Sequence, residues 1–170
     1  ASLDTEALHG ETVTIDQFEN GFAHVVLATD GYKGWMPTAC LGAMLDVTHQ
    51  VVVPHSYVTA GADVKSPGIS HLSLGARVQV CLRPDDDGKS PFVEIDYAGA
   101  PGFVPRAHIS PLTVAFDDWV AVAEQLMGSP YRWGGRASTG LDCSALVQLS
   151  LAVAGKGVPR DSGPQNDIGQ

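Results

Sequence analysis

The chain has 170 residues, 44% of them hydrophobic, and a formal charge of −9 with only ten Lys plus Arg. Such a chain can bury a real core, in roughly one domain or two to three small ones. Its sparse, scattered positive charge disfavours nucleic-acid binding, which needs a basic stripe against phosphates.

Nineteen Gly and eleven Pro predict short strands joined by turns, and hence a β-rich N-terminal part. Glu11-Thr12-Val13-Thr14-Ile15 and Ala23-His24-Val25-Val26-Leu27 alternate or carry β-branched residues, and read as strands. The stretch Gly31-Tyr32-Lys33-Gly34-Trp35-Met36-Pro37-Thr38-Ala39-Cys40-Leu41 is echoed by Gly99-Ala100-Pro101-Gly102-Phe103-Val104-Pro105-Arg106-Ala107-His108-Ile109. Two similar small β units are the simplest account. Between the echoes, Pro54 to Gly75 reads as a long loop with turns leading into the second unit. That unit's strands are Ala76 to Val80 and Phe92 to Ile95. The run Asp85-Asp86-Asp87-Gly88 reads as a solvated hairpin tip, because a calcium loop needs further oxygen ligands at set spacings. Pieces of this size suit small barrels that bury one face of every strand.

Composition changes after Pro111. From Asp118 the residues Trp119, Val122, Ala123, Leu126 and Met127 recur at helical spacing, with Gly128 as a stop. A loop with Gly134, Gly135 and Gly140 leads to a second helix, Cys143 to Ala154, with Asp142 as N-cap and with Gly155 and Pro159 beyond it. Leu146, Val147, Leu149, Leu151 and Val153 surround that helix, so it should be buried.

A thiol in the first turn of a helix is favoured as thiolate by the exposed N–H groups and the helix dipole, and the same N–H groups can hold an oxyanion. Asp142 next door opposes the thiolate, so it should have another job or be paired. Taken alone, a cysteine is as commonly a small buried hydrophobe. Cys40, Cys81 and Cys143 form no CxxC pair, so neither a zinc site, another cofactor nor a disulfide framework is signalled. No apolar run is long enough for a transmembrane segment, and residues 1–20 lack a signal-peptide pattern although the chain opens with Ala1.

The pattern Gly10-Glu11, Gly21-Phe22, Gly34-Trp35-Met36-Pro37 resembles bacterial SH3-type barrels. Tyr131-Arg132-Trp133-Gly134-Gly135, Gly140-Leu141-Asp142-Cys143-Ser144, Leu146-Val147-Gln148, Val158-Pro159-Arg160-Asp161-Ser162 and Gln165 closely resemble the NlpC-type cell-wall cysteine peptidases. The resemblance implies an α+β chain: SH3-like barrels at 1–48 and 49–113, then at 114–170 the helical, nucleophile-bearing part of a papain-like peptidase domain. It implies a cysteine endopeptidase acting on murein peptides of the L-Ala-γ-D-Glu-diaminopimelate type with a free N-terminal L-Ala. Cys143 would attack the γ-D-Glu carbonyl and form a thioester. Tyr131 would bring its hydroxyl to the nucleophile and oxyanion, Asp142 and Ser144 would hold the L-Ala and D-Glu part, and Asp142 would pair with the ammonium group. Glu11 and Tyr32 stand where such barrels close the cleft with an acid and a tyrosine; without that role they are a strand residue and a turn aromatic. Trp133 and Trp35 read as packing residues. A cytoplasmic location is favoured over a periplasmic or secreted one.

Two features depart from the family pattern. Ala145 stands where Gly usually follows Asp-Cys-Ser, and no histidine follows Cys143; His9, His24, His49, His55, His71 and His108 all precede it. A chain ending at Gln170 would expose a large apolar patch on the second helix, so further strands and the base histidine are expected beyond it. The competing readings are a non-catalytic peptidoglycan-peptide-binding protein and a barrel-based interaction module.

Overall fold

A computed structural model of the chain describes residues 2–83 and 86–168. Strands dominate, and the α-helices among the described residues follow residue 118. Strands β1 (Val13–Glu19), β2 (Phe22–Leu27) and β3 (Lys33–Pro37) form a three-stranded antiparallel sheet in sequence order. A seven-stranded antiparallel sheet follows, built from β4 (His49–Val51), β5 (His55–Thr59), β6 (Gly68–Ser73), β7 (Arg77–Val80), β8 (Phe92–Tyr97), β9 (Ala100–Pro105) and β10 (Ile109–Pro111). Its strand order is β10-β4-β7-β8-β9-β5-β6.

The echo seen in the sequence is an echo in space. β3 runs through Pro37 into a 3-10 turn at Thr38–Cys40, and β9 runs through Pro105 into one at Arg106–His108. Both prolines hold nearly the same extended backbone, φ −59° and ψ 134° against φ −58° and ψ 129°.

One expectation fails here. The stretch 54–75, read as a long loop, is an antiparallel hairpin in which His55 pairs with Ser73 and Val58 with Ser70. Alternation was present, since Ser56 and Val58 point inward and Tyr57 outward, but a buried serine does not count as apolar in a hydrophobic pattern. The tip between β7 and β8 includes Asp86, paired to Arg106; Asp85 lies outside the described residues.

Two apolar clusters organise the chain. The first lies within the seven-stranded unit and includes Val51, Val58, Leu72, Val78, Ile95 and Val104. The second joins helix α1 (Trp119–Glu124) and helix α2 (Cys143–Val153) to Leu74 of the β unit, with Leu8, Val52 and Phe116 packed around it. It covers one side of α2: Leu149 and Val153 are buried against the β unit and the N-terminal segment, while Leu146 stays 37% exposed. Helix α3 spans Ser162–Gln165. No helix among the described residues is long and apolar enough to cross a membrane.

Candidate active site

The two-residue strands β11 (Arg136–Ala137) and β12 (Gly140–Leu141) make a tight hairpin that delivers the chain to Asp142. Asp142 is extended, at φ −96° and ψ 175°, and its carboxylate accepts from the Ala145 amide at 2.8 Å as the N-cap of α2. Cys143 is therefore the first helical residue, and it is exposed. That removes the reading of a small buried hydrophobe. Among the described residues its thiol has no hydrogen-bond partner, so it faces solvent at the positive end of an eleven-residue helix.

The charge that would oppose a thiolate is neutralised. Arg160 grips Asp142 with both terminal nitrogens, at 2.9 and 2.7 Å. The same carboxylate accepts from the Gly134 amide at 3.0 Å and the Ser144 hydroxyl at 3.1 Å. Burial pushes the Asp142 carboxyl upward, but the Arg160 and Ser144 hydrogen bonds, the Ala145 amide and the guanidinium charge outweigh it and hold the group below the usual aspartate range. Such a saturated carboxylate has no oxygen left for an incoming ammonium. Ser144 is likewise engaged, donating to Asp142 and accepting from Arg160 at 2.8 Å. Together with Arg160, these two residues form the buried base of the nucleophile turn.

Arg160 and Gln165 lie in the motif that carries the family resemblance, but their partners lie too far along the chain for the sequence to show what they hold. The Gln165 Nε2 donates to the Ser144 carbonyl at 3.0 Å and the Pro159 carbonyl at 2.7 Å, fixing the turn that carries Arg160.

Tyr131 makes a parallel bridge to Leu141, which brings its backbone beside the strand leading to Cys143 while its side chain stays 66% exposed. Trp133, expected to pack, is 69% exposed. Glu11 is placed differently from the expectation: its side chain is 3% exposed and forms a two-pronged pair with Arg136 at 2.8 and 3.0 Å. It also accepts from the Leu8 amide and the Thr29 hydroxyl. This carboxylate ties the segment ahead of the first sheet to the nucleophile segment, and it lines a cavity of about 360 Å³ with Thr29, Arg136 and Gln148.

Tyr32 lines a cavity of about 560 Å³ together with Trp35, His71, Thr139 and the segment 2–8. Partial burial, then the charges of Asp161 and Asp4, push its hydroxyl above the ordinary tyrosine value; Arg160 works against them and Asp30 with them. Tyr32 is thus within electrostatic reach of the motif around Arg160, as a protonated donor among acids. Asp161 and Asp4 are both exposed. Sequence reasoning missed them because neither sits beside the cysteine in the chain.

Each histidine has its own surroundings. His9 stacks on Tyr97, His24 contacts Asp16 and Trp35, His49 meets Thr48, and His108 meets Ser56. His55 and His71 stack on each other at 5.0 Å, with His55 on the Ser138 hydroxyl. Among the described residues none is hydrogen-bonded to Cys143.

Comparison with known proteins gives two family matches. Residues 1–41 match the bacterial dipeptidyl-peptidase SH3 domain, and residues 128–170 match the NlpC/P60 family. Over 98% of its length the chain is 26% identical to a gamma-D-glutamyl-L-lysine dipeptidyl-peptidase of Bacillus cereus, of which it covers 55%. It is 23% identical over 99% of its length to the Bacillus subtilis protein of the same name, of which it covers 59%. The chain thus spans little more than half the length of these relatives. A crystal structure of an NlpC/P60 family protein from Bacillus cereus shares its fold, with a TM-score of 0.75 at 21% identity over 95% of this chain and 58% of that one. Along the chain, a region similar to the bacterial dipeptidyl-peptidase SH3 domain is thus followed by a region similar to the NlpC/P60 family.

Proposed function

We propose that Cys143 is the nucleophile of a cysteine peptidase that cuts the bond between γ-D-Glu and the diamino acid in murein peptides bearing a free N-terminal L-Ala. The observation that carries this reading is an exposed thiol at the first position of α2 whose acidic neighbour is neutralised by a buried arginine. The thiolate adds to the γ-carbonyl of D-Glu, and the first-turn amides ahead of Ala145 receive the oxyanion. The C–N bond then breaks, the diamino acid leaves as an amine that takes from solvent the equivalent of the proton the thiol released to it, and a thioester remains for water to hydrolyse to the free acid and thiol. Tyr131 is the hydroxyl on the rim of this site. The substrate's ammonium group is met by Asp4 and Asp161 beside Tyr32, since Asp142 is saturated.

The test is hydrolysis of L-Ala-γ-D-Glu-diaminopimelate peptide by the native protein. Cys143→Ala abolishes release of the diamino-acid product, and unchanged turnover would sink the mechanism. The acetylated peptide has a KM several-fold above that of the free peptide, and Asp161→Asn raises KM for the free peptide to a similar degree; equal rates for capped and free peptides remove the ammonium site. A second reading, a peptide-binding protein without catalysis, is favoured by the lack of a histidine on the Cys143 thiol among the described residues. It predicts that the parent protein binds the peptide in calorimetry and leaves it intact.

A further inference from the structure

The segment ahead of β1 is more than a leader into the first sheet. The Leu3 carbonyl lies so close to Gly134 that a Cβ there would stand 2.5 Å from it. The Thr5 hydroxyl accepts from Arg160 Nε at 2.9 Å. Glu6 does most: Oε1 accepts from Arg132 Nη1 at 2.7 Å, Oε2 from the Arg136 amide at 2.9 Å, and its carbonyl from Arg136 Nη1 at 2.7 Å. Three arginines of the NlpC/P60 segment thus close on two consecutive residues from the other end of the chain.

The turn that Glu6 holds is the turn that holds Asp142. Arg132 and Arg136 bracket Trp133-Gly134-Gly135. The Gly134 amide donates to the Asp142 carboxylate, and the Asp142 amide donates to the Gly135 carbonyl at 3.3 Å. Gly134 has φ +73°, a conformation that costs glycine little and that a side chain would strain. The turn is therefore shaped by contacts on both sides, with Glu6 on one and Asp142 on the other.

We propose that Glu6 is a positioning residue for the Cys143 site: by fixing the 132–136 turn it keeps Asp142 clamped, and with it the charge balance beside the thiolate. This rests on the reading of Cys143 as the nucleophile. If the clamp loosens, Asp142 loses donors and its negative charge is freed beside the sulfur, which disfavours thiolate.

The test is the pH profile of Cys143 alkylation by iodoacetamide in the intact chain, read on the Cys143 peptide by mass spectrometry with added N-acetylcysteine as the reference thiol. Glu6→Ala moves the profile to higher pH. A half-unit move lowers the rate on the rising limb about threefold. Glu6→Gln, which keeps an acceptor for the Arg136 amide without the charge, falls between Ala and the parent. Parent-like profiles in both variants overturn the proposal. If Glu6→Ala does not fold, Arg132→Met, which removes one partner at an exposed side chain, takes its place beside Glu6→Gln under the same criterion. The parent chain separates the two ideas: Cys143 reacting no faster than N-acetylcysteine counts against the nucleophile, whereas an activated Cys143 indifferent to Glu6 counts against the strap alone.

Discussion

The two echoed units share a local piece and differ in almost everything around it. In each, a glycine turn leads into a strand that ends at a proline and a 3-10 turn. Around the second copy, Val58, Val78, Ile95 and Val104 are wholly buried and form a true core. Around the first, only Ala23, Val25 and Leu27 are buried, while Ile15, Phe18, Phe22 and Trp35 remain exposed. The units also attach to the nucleophile segment in different ways. The first is held by polar clamps, Glu11 on Arg136 and Asp30 on Gln148 at 2.9 Å. The second is held by apolar packing through Leu74 and Val52. Local sequence specifies the piece, and its neighbours decide how it is stabilised.

Breaking the polar clamp should have the largest effect. Arg136→Met leaves Glu11 charged in a buried site and should cost ~3–5 kcal/mol in urea unfolding. Adding Glu11→Leu should recover most of that loss, since an apolar pair of similar volume has no charge to desolvate. A double variant as unstable as the single one would show that Glu11 holds the sheet by more than its partner. On the apolar side, Leu74→Ala, at a position with no exposure, should cost ~2–5 kcal/mol. A loss under about 1 kcal/mol would mean that the helices and the β unit are not one cooperative body.

Acid should act on the nucleophile turn. The folded Asp142 carboxyl lies below its unfolded value. Its contribution to stability is therefore fully present above the unfolded aspartate value, about 3.9, and is lost as pH falls through the depressed folded value. Asp142→Asn should flatten that limb of the stability curve in acid titration. The smallest effect should come from the exposed face of the first sheet, where Phe18→Ser should stay within about 0.5 kcal/mol of the parent.

Much of this was legible in the chain. The strands read at 23–27, 76–80 and 92–95 followed from β-branched alternation and fall within a residue or two of β2, β7 and β8, and α2 was bounded by Asp142 and Gly155, whose φ is +76°. The hairpin at 55–73 was missed because Ser56 is buried there. At the site, Cys143 and its N-cap were readable because they are neighbours in sequence. The partners of Asp142 and Glu11 were not, because Arg160 and Arg136 lie 18 and 125 positions away. Pairing across such distances is a property of the fold, and a charged residue in isolation reads as solvated.

The contact between Thr5 and Arg160 bridges 155 positions, which gives the site a kinetic character. Contacts of such sequence separation pay the loop-closure entropy of nearly the whole chain before they return anything. During synthesis the residues that brace the nucleophile turn emerge first and wait unpaired until their arginine follows. The thiol turn therefore cannot be fully braced before Arg160 has met Thr5, and a chain halted short of Arg160 should present Cys143 as an ordinary cysteine.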